Sequence, residues 1–528
     1  MAKRHQVIIV GGGPTGLGLA VQLGLRGVSC VLVETRTAAH RIPKGQYLTH
    51  RSVEHFYFWG IVDELRAARI LPRDVPVNEI TAYDNMVSGI WYAQAGREQI
   101  RDYYFQFNER MPQYLTEGVL KTRMESLANV ESRLGWTARE VRQDDHGVRV
   151  TIAREGGAEQ EVLEADYVVG CDGGRSVVRE QVGIPRSGHD FDQLMVLAVF
   201  NSRELHERFQ RFPVAATFRA MHPDAKGYWK FFGRIDFGEG FFFHAPVPAD
   251  TTRDNFDFLG QMHEAAGFKF ACEFEHIGFW DMRVAVADRY QVGRAFIAGD
   301  AAHSHPPYGG FGLNNGLEDA VNLGWKIAAR LEGWGSDALL ASYSDERRPI
   351  FHEVATDFIA TRIRNDREFL ERYNPSRNRA EFEQAWNARQ GEIGKRAQVF
   401  EPGYEASPIV VGPPGGKTTA HGQHMFKART GHHLTPQTLS SGRDVFEELG
   451  RGFTLLAFDA DDGVVRAFEQ AARTLSIPFK TVRDSYADGR TRYEAPLILV
   501  RPDQFIAWTG DRAPADAAAL MRKVVGRD

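Results

Sequence analysis

Gly11, Gly13 and Gly16 stand at the spacing G-x-G-x-x-G directly after the apolar run Val7-Ile8-Ile9-Val10, and a carboxylate, Glu34, closes the next apolar run, Cys30-Val31-Leu32-Val33. Each residue type answers a need of a pyrophosphate-bearing dinucleotide. Gly11 permits a tight turn, Gly13 lets the backbone approach the phosphates, and Gly16 lets a helix pack closely on a strand. Pro14 and Thr15 sit within the same turn. The free N–H groups at the start of the helix favour an anion, and Glu34 is placed to accept from ribose hydroxyls. Two further acids follow short strand-like runs: Asp172, with Gly173, after Tyr167-Val168-Val169-Gly170, and Asp300 after Ala295-Phe296-Ile297-Ala298-Gly299. Asp300 is placed to accept from a polyol hydroxyl.

These residues require particular elements to hold them. Leu17, Val21 and Gly24 recur at helical spacing after the first glycine turn, so the opening segment reads strand, turn, helix, strand. After Asp300 the run His303-Ser304-His305-Pro306-Pro307-Tyr308-Gly309-Gly310-Phe311-Gly312-Leu313-Asn314 leads into Leu317, Ala320, Val321, Gly324, Ile327, Ala328 and Leu331. That spacing predicts a helix beginning near Asn314, its positive end available to a developing negative charge. His303 and His305 have ligand-like spacing, but no Cys, Asp or Glu cluster accompanies them in sequence, and no metal is expected.

At 528 residues the chain exceeds one core and predicts two or three domains. Its 43% hydrophobic and 25% charged residues are those of a globular protein, and a net charge of -5 gives no footprint for nucleic acid or a membrane surface. A small-molecule partner is expected. Three cysteines without a CxxC spacing argue against disulfides and structural zinc, and a cytoplasmic location is the default.

Taken together, the G-x-G-x-x-G turn, the Asp172-Gly173 turn and the Gly299-Asp300-Ala301-Ala302-His303 run resemble the FAD-dependent aromatic hydroxylases, single-component flavoprotein monooxygenases, over about the first 400 residues. The resemblance implies a Rossmann-like FAD-binding domain (1–75, 101–184 and 286–400) and an antiparallel-sheet substrate domain (76–100 and 185–285). It implies hydroxylation of a phenolic or related aromatic substrate with NADPH or NADH and O2, through a flavin C4a-hydroperoxide. By position, Asp172 and Gly173 would serve FAD and the nicotinamide cofactor, and Asp300 the ribityl chain. Gly312, Leu313 and Asn314 would face the flavin pyrimidine edge, while Arg41 and Gln113 would be further flavin contacts. The Pro307 carbonyl would meet the substrate hydroxyl.

The chain also departs from the family. Tyr308 replaces a common threonine, and Lys44-Gly45-Gln46-Tyr47-Leu48-Thr49-His50-Arg51 lacks the acid that some phenol hydroxylases carry there. The group that deprotonates the substrate is therefore open. Gln46, Tyr228, Arg234, His244 and Tyr308 are candidates to face the substrate, set against core packing for the aromatics.

Residues 401–423, rich in Pro, Gly and Thr, read as a linker or arm, and His432-His433 as a solvated loop pair. Residues 424–528 resemble the thioredoxin-like C-terminal domain of some of these hydroxylases. With no cysteine there, a structural or homodimer-forming role is expected rather than dithiol chemistry. Because every cofactor motif lies upstream, a chain cut after about residue 410 is expected to keep its flavin. Other readings are a same-fold FAD monooxygenase performing epoxidation or Baeyer–Villiger oxidation, a halogenase, whose GWxWxIP-type signature is absent, and a flavin-free carrier.

Overall fold

The computed structural model describes residues 4–38, 40–72, 75, 78–94, 98–393 and 396–527. Strand β1 (Val7–Val10) is entirely buried, and its four apolar residues suit a central strand covered on both faces. It pairs in parallel with β2 (Cys30–Glu34) on one side and with the strand Tyr167–Gly170 on the other. The six-stranded sheet continues outward to Val130–Leu134 past β2, and to Ala295–Ile297 and Gln291–Val292 past Tyr167–Gly170. The chain therefore leaves β1 toward one edge and returns on the other. That reversal opens a crevice beyond the carboxyl ends of the strands, where doubly wound sheets bind ligands.

Helix α1 (Pro14–Leu25) begins in this crevice, with Pro14 at its first turn. Gly11 has φ +108°, and a Cβ there would lie 2.2 Å from the Cys171 carbonyl oxygen. A Cβ on Gly16 would lie 1.9 Å from the Gly11 carbonyl oxygen, so the helix can begin at this depth only with glycine. Helix α2 (His50–Phe58) is capped by the Thr49 side chain, and α3 (Gln113–Glu125) starts behind Pro112.

The second layer is an eight-stranded sheet that includes Arg186–Asn201, Gly240–Val247, Lys230–Arg234, β3 (Thr217–Met221) and Glu79–Tyr83. It is antiparallel except where β3 runs parallel to Glu79–Tyr83, a strand supplied from far upstream. Register sets its two faces. Phe231 pairs with His244 and Phe232 with Phe243, so Phe231, Phe242 and His244 share no face with Phe232, Phe241 and Phe243. The latter set packs in a core with Phe200, Phe209 and Met262.

Helices α4 (Phe311–Leu331) and α5 (Asp337–Glu353) complete the first layer. The C-terminal unit has a four-stranded sheet in which Phe453–Phe458 lies parallel to Phe479–Asp484 and antiparallel to Leu497–Val500, with helices Asp462–Thr474 and Ala517–Val524 against it. This is the α/β arrangement expected of it.

The join between the units differs from expectation. Residues 400–421 form a hairpin, Phe400–Tyr404 against Thr418–His421, with Tyr404, Ile409 and Ala420 fully buried. The segment expected as a linker is thus packed into the body of the protein. His432 lies between Glu401 and Glu405 at 3.0 and 3.1 Å, and His433 reaches Glu54 at 2.8 Å. Neither is a solvated loop histidine, because the C-terminal unit folds back over α2. No helix among the described residues is long and apolar enough to cross a membrane.

Candidate active site

A cavity of about 970 Å³ runs from the glycine turn to the inner face of the eight-stranded sheet. Gly11, Gly13, Pro14, Thr15, Glu34, Asp172, Gly173 and Asp300 line one end, while Gln46, Arg110, Arg219, Trp229, Phe231 and His244 line the other. Gln113, Pro307, Gly312 and Leu313 lie along the wall between them. Motifs separated by nearly 300 positions in the chain therefore share one space.

The glycine end has the chemistry of a dinucleotide cradle. A Cβ on Gly13 would meet no protein atom within 4 Å, so the backbone there faces open space. Glu34 accepts from the Gly12 N–H at 2.6 Å and from the Arg36 N–H and Nε at 2.9 and 2.7 Å. Burial pushes the Glu34 carboxyl up, but these bonds outweigh it and hold the group below the usual carboxylate range. Asp172 accepts from the Val178 N–H through Oδ2, while Oδ1 has no partner among the described residues. Burial raises its pKa, as it does that of Asp300, whose side chain opens onto the cavity although protein surrounds it. Glu34, Asp172 and Asp300 thus stand as acceptors along the cavity beside the glycine turn, a set that fits the hydroxyl groups of an FAD.

The wall between the ends is set by α4. Its first turn starts at Phe311, three residues earlier than the helical spacing suggested, because the Gly309 and Gly310 backbones (φ +82° and +68°) turn the chain into the helix. Gly312 and Leu313 consequently lie in the first turn, where N–H groups lack intrahelical acceptors. The Asn314 side chain turns away from the main cavity. It accepts from the Thr49 N–H at 2.8 Å and the Ser52 hydroxyl at 2.6 Å, and donates to the Tyr47 and Gly310 carbonyls at 2.9 and 2.6 Å. It fastens the segment carrying Gln46 to the helix start. Gln113 lines the cavity and donates to Glu117 at 2.8 Å.

His303 does not reach the cavity: it bonds Asp319 at 2.6 Å and stacks on Phe351. Its neighbour His305 lines the cavity, bonded through Nδ1 to the Pro306 carbonyl, and burial pushes its pKa down to about 4.

Several candidates lie elsewhere. Gly16 supports the turn from inside α1, and Arg41 is exposed and outside the cavity wall, where Arg36, Lys44 and Arg175 stand instead. Of the substrate candidates, Gln46 and His244 line the cavity; His244 stacks on Phe231 at 4.9 Å, and burial pushes its pKa down to about 3. Arg234 belongs to the opposite face of its strand, with its guanidinium on His206 at 2.7 Å and near Phe218, Phe237 and Phe241. Tyr228 packs under Arg367. Tyr308 is buried behind Trp229, ring centroids 3.8 Å apart, so it backs the wall and does not line the cavity. Arg110, Arg219, Trp229 and Arg362, which do line the wall, were not singled out in the sequence. Isolated arginines and a tryptophan belong to no motif, and only the strand register gives them a face.

A family model described as "FAD binding domain" matches residues 4–357, and one described as "Aromatic-ring hydroxylase, C-terminal" matches residues 427–527. The chain is 31% identical to the FAD-dependent monooxygenase apdD of Emericella nidulans, over 99% of this chain and 90% of that protein. It is 35% identical to the rifampicin monooxygenase of Streptomyces venezuelae over 66% of this chain and 69% of that protein. Among solved structures, the substrate-free form of the rebeccamycin biosynthetic enzyme superposes with a TM-score of 0.81 at 27% identity, covering 99% of each chain. The dinucleotide cradle, the second sheet and these matches along the whole chain agree: the protein belongs to the FAD-dependent aromatic-ring hydroxylases, a family of flavoprotein monooxygenases.

Proposed function

We propose that this protein hydroxylates a phenolic or related aromatic compound, with NADPH or NADH as electron donor and O2 as oxygen source. The observation that carries this reading is the single cavity joining the glycine cradle to a wall bearing Trp229, Phe231, Phe242 and His244, with Pro307 between the two ends. Bound FAD would supply the redox chemistry that links NAD(P)H oxidation to O2 activation. One oxygen atom enters the ring and the other leaves as water.

The chain's own residues bind and position. Gly11, Gly13, Pro14 and Thr15 would hold the pyrophosphate at the start of α1, Glu34 the adenosine ribose, and Asp300 the ribityl hydroxyls. Gly312 and Leu313 would hold the flavin through first-turn N–H groups, with Gln113 on the same wall. Asp172 and Gly173 serve the same cofactor from the neighbouring strand end. The Pro307 carbonyl accepts a hydrogen bond from the substrate hydroxyl, which polarises the O–H bond and raises electron density on the ring to be attacked. Trp229, Phe231 and Phe242 cover that ring and exclude water.

A panel of aromatic compounds, from single-ring phenols to rifampicin, tests this reading with the purified holoenzyme. At least one should accelerate NAD(P)H oxidation severalfold and yield a product heavier by one oxygen. A holoenzyme whose NAD(P)H oxidation no aromatic compound stimulates would contradict it.

A further inference from the structure

At the sheet end of the cavity the wall presents donors without acceptors. Arg110 is only 5% exposed and lines this wall. Its Nη2 donates to Gln46 Oε1 at 2.7 Å and to the Arg234 carbonyl at 2.9 Å, and its Nη1 reaches the Thr217 hydroxyl at 3.3 Å. All three acceptors are neutral, and among the described residues no carboxylate lies within ion-pair distance. Glu109, its neighbour in sequence, is engaged by Arg66 and Arg69 at 3.3 and 2.7 Å. Burial, with the like charges of Arg234 and Arg69, pushes the Arg110 guanidinium down to about 9. A cation buried without a counter-charge is costly, and is retained where something outside the fold supplies that charge.

The neighbours point the same way. Gln46 Oε1 is committed to Arg110, so its Nε2 is the end left over, and it has no acceptor among the described residues; nor has Arg110 Nε. Arg219 lies two residues from Thr217 on β3 and therefore on the same face. Its charge is matched by Asp366 at 3.4 Å and Glu79 at 3.6 Å, yet its Nη2 also lacks an acceptor. Glu79 is the carboxylate on this part of the wall, and it serves Arg362 as well, at 3.5 Å. Asp366 is fully buried and shared with Arg389 and Trp229. Among the described residues, Arg110 and Arg219 thus bring two guanidiniums to the sheet end beside the half-buried Glu79, and Glu79 pairs with Arg219 and not with Arg110.

We propose that the substrate carries an anionic oxygen group, a carboxylate or an ionised acidic phenol, which Arg110 receives while Gln46 and Thr217 orient its guanidinium and Arg219 stands alongside. The proposal rests on the hydroxylase reading of this cavity. Anchoring the anion at Arg110, with the ring against Phe231 and Phe242, fixes which part of the ring is turned toward Pro307.

The test measures binding to the FAD-loaded full chain through perturbation of flavin absorbance, using 4-hydroxybenzoate against its methyl ester and 4-nitrophenolate against phenol. The wild type should bind at least one anion about 10- to 100-fold more tightly than its neutral counterpart, the range expected for a hydrogen bond between charged groups. Arg110→Met should abolish that preference, and Arg110→Lys should keep part of it. Preference within the first pair assigns a carboxylate, and within the second an acidic phenol. Sodium benzoate should also raise the melting temperature of the wild type but not of Arg110→Met. Equal binding of anion and neutral probe by the wild type would overturn the proposal. So would an equal loss of both in Arg110→Met, or loss of flavin from that variant, which would assign Arg110 to the cofactor. If no ring is hydroxylated, the hydroxylase reading fails, while the anion preference is still read by binding.

Discussion

Arg501 of the C-terminal unit bonds Glu346 of α5 through both terminal nitrogens, at 2.6 and 2.9 Å, and neither side chain is exposed. Asp503 joins the same cluster, accepting from Arg501 and from Trp325 Nε1, and Lys326 donates to Glu346 at 2.7 Å. Arg51 of α2 reaches the Asp503 carbonyl at 2.7 Å. The two units therefore share one buried polar network rather than a slip plane.

Removing one member should be expensive. Arg501→Ala leaves buried Glu346 with Lys326 as its cation and only neutral donors, Asn322 and Ser407, beside it, and should cost about 3–5 kcal/mol of stability, measured by urea unfolding of the holoenzyme. A loss under about 1 kcal/mol would show that the network contributes little.

The same contacts reverse the expectation for a chain ending near residue 410. Such a chain exposes the apolar surfaces of Trp325 and Trp334, which pack with Phe453, and leaves Glu54 without His433. It should be insoluble or lose FAD. A soluble truncation with the full flavin spectrum would show that the first unit stands alone.

Two glycines of one motif should fail differently. Gly13→Asp meets no protein atom but places a side chain and a negative charge in the cradle, so it should fold normally and lose FAD. Gly16→Ala drives a methyl group against the Gly11 carbonyl, which should destabilise the fold by about 1–3 kcal/mol or more. Circular dichroism, melting temperature and flavin content separate the two. Full FAD content in Gly13→Asp would mean that this loop does not hold the cofactor.

The contrast shows what was legible in the sequence. Turn glycines, strand-terminal acids and the helix after Asp300 are local, and their residue types alone announce them. The face that a residue shows is not local. Phe231 and Phe232 are chemically identical, and only the pairing of Phe231 with His244 separates cavity wall from core. For the same reason nothing in the sequence tells that Arg234 points to the core face while Arg110 lines the cavity. The packing of 400–421 depends on partners from α5 such as Glu353, which accepts from the Ala420 N–H at 2.6 Å. No feature of its Pro/Gly-rich sequence announces that.

His244 gives a pH signature. Burial lowers its folded pKa to about 3, against about 6.5 when unfolded. The unfolded chain therefore binds the extra proton as pH falls below about 6.5, and stability drops through the window down to about pH 3. His244→Phe removes that proton uptake, so its stability should fall less steeply than the wild type's between pH 6.5 and 4. Parallel slopes for the two proteins would place the histidine's charge elsewhere.

Oxygen transfer from O2 to an aromatic ring leaves an isotopic record. With 18O2, NAD(P)H and a phenol that stimulates turnover, mass spectrometry should find one labelled oxygen in a new ring hydroxyl and none when only the water is labelled. Label in an ester oxygen would indicate Baeyer–Villiger insertion instead. A coupled product without any label from O2 would show that the protein is not a monooxygenase.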